Sequence, residues 1–216
     1  MARFAEVTGL ILAGGLSRRM DGRPKPFLTF EGRRFIDLLV ELFGSLFGQT
    51  VIVTNQPTRF ADLPVRIVRD LEPDRGAIMG LLTGLYYSTT DWNFVSACDV
   101  PLLQAEFVAA ILQAVEPGYG VVLPRTPEGL QPLTAAYHRR CLPHLIRLLQ
   151  QEQLAIRHLY RRVPVRYLEP TELGLADPRG LSLINVNTPA DLDRIRVLEE
   201  TAPSTFKHKN ERTPCH

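Results

Sequence analysis

Over the first half of the chain, short apolar runs that end in polar or glycine residues alternate with segments of helical spacing. Few architectures accept that pattern. Residues 7–12 (Val-Thr-Gly-Leu-Ile-Leu) suit a strand covered on both faces. Residues 51–53, 65–68 and 93–97 repeat the theme and lead into Thr54-Asn55, Asp70 and Cys98-Asp99. Between them, residues 34–47, 80–87 and 104–115 space their apolar side chains as helices do. The alternation predicts an α/β fold in three layers, Rossmann-like, with a mostly parallel central sheet and helices on both faces. The second half is less regular. Strands are expected at 120–123, 133–137, 163–168 and 181–186, and a helix at 139–150. A last helix begins at Thr188-Pro189, which has the N-cap and N1-proline pattern, and runs to about Leu198.

The length of 216 residues suits one large domain, and neither an internal repeat nor a linker interrupts it. Residues 1–200 are expected to form that single domain. Residues 201–216 are polar without a period and are expected to be a disordered tail. No apolar run reaches the length of a membrane span, and the N-terminus lacks a signal-peptide pattern, so a cytoplasmic protein without membrane association is expected. Cys98, Cys141 and Cys215 form neither a disulfide framework nor a metal knuckle, and the histidines show no zinc-binding spacing. A net charge of +2 gives no argument for nucleic acid. The kind of charge is more telling. Of 25 basic residues only Lys25, Lys207 and Lys209 are lysine, and the last two lie in the tail. A lone lysine in a glycine-rich loop of an arginine-biased chain marks a place for a compact ammonium.

The first strand runs into Ala13-Gly14-Gly15-Leu16-Ser17-Arg18-Arg19-Met20 and then Lys25. In open α/β sheets ligands bind beyond the carboxyl ends of strands. Paired glycines let backbone N–H groups approach phosphate oxygens, and Arg18, Arg19 and Lys25 add positive charge. The pattern is neither the dinucleotide fingerprint nor the P-loop. A glycine turn with solvated arginines is the plainer alternative. Asp99 follows a hydrophobic strand, as a Mg²⁺ ligand would, but an Asp there could equally cap the next helix. Asp70 could bind sugar hydroxyls or base amino groups, or simply occupy a turn.

Taken together, Leu12-Ala13-Gly14-Gly15 with Arg19-Met20 and Lys25, Asp70 with Gly76 and Gly80, Cys98-Asp99-Val100-Pro101, and Asn185-Val186-Asn187-Thr188-Pro189-Ala190-Asp191-Leu192 resemble the molybdenum cofactor guanylyltransferases. Gln131-Pro132-Leu133 resembles a further segment, and the likeness spans residues 7–198. The resemblance implies a nucleotidyltransferase fold, Mg²⁺ as cofactor, and GTP and molybdopterin as substrates. Other molybdenum cofactor biosynthesis proteins and acceptor apo-enzymes are the further partners it implies. It places the guanine end of GTP on the backbone of Leu12, Ala13 and Gly14, with Gly15 in the same loop. Lys25 would contact phosphates, Asp70 the nucleotide, and Asp99 both Mg²⁺ and nucleotide. Arg19 joins Lys25 and Asp99 as catalytic. Asn185 and Asn187 fall on the acceptor and metal side. A nucleotide contact after the second strand falls on Thr54-Asn55, with Asn55 the candidate. Two departures are Gly76-Ala77-Ile78-Met79-Gly80, where the family has Gly-Pro-Leu-x-Gly, and Asp21-Gly22 in place of a glycine after Arg-Met. The first bears on the stiffness of that loop.

The implied reaction is attack by the terminal phosphate of molybdopterin on the α-phosphorus of GTP, with release of pyrophosphate. A phosphate monoester has a second pKa near ~6, so it is already nucleophilic at neutral pH and no strong base is needed. That agrees with a sequence without a candidate His–Asp or Cys–His set. Two alternatives remain at this stage. One is a relative using CTP or a sugar-phosphate acceptor. The other is a non-catalytic GTP-binding protein, against which the retention of both Lys25 and Asp99 argues.

Overall fold

The computed structural model describes residues 3–14 and 25–200. The elements, in chain order, are β1 (Phe4–Leu12), β2 (Thr29–Phe30), β3 (Arg33–Arg34), α1 (Phe35–Leu46), β4 (Phe47–Thr54), β5 (Arg66–Arg69), α2 (Ala77–Tyr87), β6 (Trp92–Ala97), α3 (Ala105–Gln113), β7 (Val121–Thr126), β8 (Gly129–Leu130), β9 (Thr134–His138), α4 (Leu142–Gln150), β10 (Val165–Leu168), α5 (Pro170–Leu173) and α6 (Pro189–Glu200). The main sheet has the order β10-β7-β9-β6-β1-β4-β5, with β8 paired to β7. The pairs β1–β4, β4–β5, β1–β6 and β7–β10 are parallel; β9 runs against both β6 and β7. β2 and β3 make a separate small hairpin.

Period-two alternation sorts the strand residues into two cores. Leu10, Leu12, Val51, Val53, Val95, Val121, Leu123, Ala135 and Tyr137 face one way, against α2 and α4. Ile11, Ile52, Phe94, Val122 and Ala136 face the other, against α1 and α3. This is the expected three-layer, Rossmann-like α/β fold. Gly9 lets α1 approach β1. A Cβ there would lie 2.4 Å from ring carbons of Phe43 and Phe47, whose centroids are 5.0 Å apart and lie 5.9 and 6.0 Å from that of Phe94. Gly9→Ala is therefore expected to destabilise the protein by about 2–3 kcal/mol through overpacking. A denaturant midpoint within error of wild type would show that the rings repack freely.

Most sequence expectations hold within a few residues. Helix α2 starts three residues earlier than expected, and the 139–150 helix opens as a tighter turn, Arg139–Cys141, before α4. The expected strand at 181–186 is not one. Its apolar side chains, Leu181 and Val186, pack with Leu28, Phe30, Phe35, Leu102 and Ile195 in a third cluster away from the sheet. Its backbone is satisfied by other means. The buried Asp177 carboxylate accepts the Leu181 and Ser182 N–H groups, Ile184 N–H closes a turn onto Leu181 O, and Val186 N–H donates to Asp99 O at 2.8 Å. Apolar alternation shows that a segment is half-buried; it does not say against what. Among the described residues no helix is long and apolar enough to cross a membrane. The expected tail, 201–216, lies outside the described residues.

Candidate active site at the carboxyl edge of the sheet

β1, β4, β5 and β6 run parallel, so their carboxyl ends meet along one edge. The chain leaving β1 is fixed there. Ala13 N–H donates to Val53 O at 2.8 Å, and Cys98 N–H to Leu12 O at 3.2 Å. The Thr54 hydroxyl donates to Ala13 O at 3.2 Å, and Asn55 Nδ2 to Gly14 O at 3.1 Å. Leu12, Ala13 and Gly14 are thus held by the last two residues of β4, by Asn55 just after it and by the first residue after β6. That bond also sets the Asn55 amide, leaving its buried Oδ1 without a partner among the described residues.

Asp70 faces Gly14 from the end of β5. A Cβ on Gly14 would lie 2.6 Å from Asp70 Oδ2, so only glycine leaves room for the carboxylate. Asp70 Oδ1 is buried and also unpartnered. Burial holds the Asp70 carboxyl above its ordinary range, opposed by the Thr83 hydroxyl, which also accepts the Leu71 N–H. The glycines of the Gly76–Gly80 segment have separate tasks. Gly76 turns the chain at φ 73° before α2, while at Gly80 a Cβ would make ordinary contact with Leu12 at 3.5 Å, so that position packs α2 against β1 without requiring glycine. Thr83 escaped the sequence reading; a lone hydroxyl in an otherwise apolar helix was the available signal.

The second group converges from three parts of the chain. Lys25 Nζ donates to Asp99 Oδ2 at 3.2 Å and to Asn187 Oδ1. Both members of the ion pair are largely buried, with side chains 13% and 20% exposed. The third apolar cluster brings them together. Leu28, Phe30 and Phe35 follow Lys25, Leu102 follows Asp99, and Val186 precedes Asn187. The Asp191 carboxylate accepts the Asn187 and Thr188 N–H groups, and Thr188 Oγ1 accepts the Asp191 N–H in return, capping α6. These bonds, that from Asn187 first, hold the Asp191 carboxyl below its ordinary range. Asn185 is on the same loop and exposed.

Asp99 is not a helix cap. The N-cap of α3 is Gln104, whose N–H is bound by Ser182 Oγ at 3.0 Å, and among the described residues no backbone N–H reaches the Asp99 carboxylate. With Oδ2 on Lys25, its buried Oδ1 has no partner among the described residues. A carboxylate oxygen without a hydrogen-bond donor at a strand end fits a hard cation that takes one or two protein ligands and fills its shell from phosphates and water. Among the described residues no cluster of three His, Cys, Asp or Glu side chains competes for that role. Cys98, next door, has the character of an inert core thiol: burial, with the Asp99 charge beside it, pushes it up to about 12. Gly15 and Arg19, expected in this site, lie outside the described residues.

Comparison with known proteins gives a consistent answer. The MobA-like NTP transferase domain matches residues 9–167. A molybdenum cofactor guanylyltransferase from Desulfosudis oleivorans is 36% identical, over 87% of this chain and 93% of its own. A probable molybdenum cofactor guanylyltransferase from Bacillus licheniformis is 34% identical, over 86% and 94%. Among solved structures, the molybdopterin-guanine dinucleotide biosynthesis protein A of Archaeoglobus fulgidus superposes with a TM-score of 0.80. It covers 90% of this chain and 100% of its own at 24% identity, a likeness of fold.

Proposed function

The chain belongs to the family of MobA-like NTP transferase domains, and on that ground we propose that it transfers GMP from GTP to the terminal phosphate of molybdopterin, releasing pyrophosphate and forming molybdopterin guanine dinucleotide. The observation that supports guanine among the bases is the pair of acceptor groups beside Gly14: the Asp70 carboxylate, whose Oδ2 lies 2.6 Å from where a Gly14 Cβ would be, and Asn55, whose buried Oδ1 has no partner among the described residues. Guanine carries adjacent N1–H and N2–H donors on one edge; adenine and cytosine each carry a single amino group there. A buried acceptor left unmet costs about 1–3 kcal/mol, which penalises the wrong base. Leu12, Ala13, Gly14 and Gly15 supply the loop against which the base rests. Calorimetry with GTP, ATP and CTP tests this reading, with GTP expected to bind tightest. Equal affinities would remove the guanine assignment and leave the fold standing.

The chemistry needs charge neutralisation more than a base. The acceptor phosphate is already largely dianionic, with a second pKa near ~6, and must approach a triphosphate. Lys25 presents a rigid ammonium. Two of its three N–H groups are held by Asp99 and Asn187, and among the described residues nothing else takes the remaining one, which suits a phosphate oxygen. Asp99, through Oδ1, is the residue to hold Mg²⁺, which when bound would offset the charge growing on the phosphates. Asn187 fixes Lys25, and Asn185 on the same loop faces the acceptor side. Arg19 keeps its catalytic place on the sequence pattern. Positioning in line supplies much of the remainder, and no covalent intermediate is required.

Lys25→Arg tests this geometry. Arginine keeps the charge, but a guanidinium nitrogen carries at most two N–H groups, both in one plane, so it cannot bond Asp99 and Asn187 and still offer a third to a phosphate. The expected loss in kcat is on the order of 10²-fold, the cost of displacement near ~1 Å, with a smaller loss in GTP affinity. Steady-state kinetics and calorimetry on wild type, Lys25→Arg and Lys25→Ala separate the cases. If Arg matches wild type, the geometric argument fails. If rate and affinity fall in equal proportion, Lys25 only binds.

A further inference from the structure

The segment between β5 and α2 carries Asp70 at its start and Gly76 at its end, and it is fastened to a helix far away in sequence. Arg75 Nη1 donates to both carboxylate oxygens of Glu152, at 3.0 and 2.8 Å, and Nη2 donates to Leu149 O at 2.9 Å. Glu72 sets a further carboxylate oxygen 3.6 Å from Nε. Leu149 O belongs to the last turn of α4, where it also accepts the Glu152 N–H at 3.1 Å and where the helix dipole favours a cation. The Arg75 side chain is 25% exposed, so the fork is fixed rather than waving in solvent. The backbone at both ends is constrained too. Asp74 (φ 63°) and Glu152 (φ 55°) are non-glycine residues in the left-handed region, a state that persists where surrounding contacts impose it. Where the resembled family has proline, this chain has Ala77, the first residue of α2, so the preset φ of a proline is missing there.

We propose that Arg75 is a positioning residue for the nucleotide. By clasping Glu152 and the carbonyl end of α4, it holds the loop that sets Asp70 against Gly14. It touches no substrate, and its effect runs through the guanine-side loop alone. The proposal rests on the guanine reading given above. A loop already ordered loses less freedom when the base arrives, so loosening the clasp weakens GTP binding. Lys25, Asp99 and Asn187 are tied by the third apolar cluster instead, so turnover at saturating GTP is left intact.

The test compares wild type with Arg75→Ala, Arg75→Lys and the milder Glu152→Gln. GTP affinity is read by calorimetry, and kcat and both KM values by steady-state kinetics. Arg75→Ala is expected to weaken GTP binding about tenfold and Glu152→Gln about threefold, in keeping with the loss of charged hydrogen bonds. Arg75→Lys, which keeps charge at the helix end but loses the fork, is expected to fall between Arg75→Ala and wild type. In all three, kcat and the acceptor KM stay within about twofold of wild type, because only preorganisation of the base-side loop has changed. Unchanged GTP affinity in both Arg75→Ala and Glu152→Gln overturns the proposal. So does a fall in kcat, or a rise in acceptor KM, in step with the GTP loss, since general damage to the domain would act that way. A wild-type protein that binds no GTP refutes the guanine reading instead, and with it the ground on which the clasp was assigned.

Discussion

Asp99→Asn is expected to lose turnover by about 10³-fold or more while the protein keeps its fold. Asparagine is nearly isosteric and could still accept from Lys25, so packing barely changes. What goes is the negative charge. Oδ1 is buried and unpartnered among the described residues, and as part of a carboxylate it suits a divalent cation; a neutral amide oxygen holds one far more weakly. The Lys25–Asp99 pair is also mostly buried, and removing its anion takes away the counter-charge that faces the Lys25 ammonium. Were Asp99 a helix cap, Asn would replace it with little loss. The structure removes that reading, because α3 is capped at Gln104. The measurement is metal-dependent kcat alongside thermal unfolding. Activity within tenfold of wild type at saturating metal would sink the metal role. A collapse of the melting temperature would mean that the ion pair serves mainly to hold the fold.

Gly14→Ala is expected to weaken GTP binding by about 10²-fold, since the added Cβ must displace Asp70 Oδ2 from 2.6 Å. Asp has a short side chain, so the carboxylate can move, but only by giving up its place beside the loop. If instead the loop moves, the Asn55 bond to Gly14 O at 3.1 Å is broken and the second acceptor loses its orientation. Either relief spoils guanine recognition. Neither disturbs the cores, so stability should change by less than about 1 kcal/mol. The preference for GTP over CTP should narrow, because the lost contacts are those that a single amino group cannot use. Titration of the variant with both nucleotides decides. Unchanged GTP affinity would show that Asp70 does not face the base, and an equal fall for GTP and CTP would place it on the ribose or phosphates.

Much of this protein is written in local pattern. Short apolar runs at 7–12, 51–53 and 93–97 and helical spacing at 34–47 and 104–115 carry the layered α/β order, because each residue there answers to neighbours within a few positions. The glycines at 14 and 76 were legible as well, since close approach and positive φ leave few other choices. Orientation was less so. Apolar alternation does not distinguish strand directions, and the reversed β9 follows from the short β7–β9 connection, which has no room for a crossover helix. The segment at 181–186 has the composition of a strand, yet it packs into a third cluster whose other members, from Leu28 to Ile195, are spread along the chain. That cluster sets Lys25 against Asp99 and Asn187, across 74 and 162 residues of sequence. Likewise Arg75 and Glu152, 77 residues apart, read as ordinary surface charges until the docking of α2 on α4 makes them neighbours. Residue types and turns could be read because local sterics and hydrogen bonding fix them. Partners across the fold could not, because burial against a distant surface leaves no periodic trace in either segment.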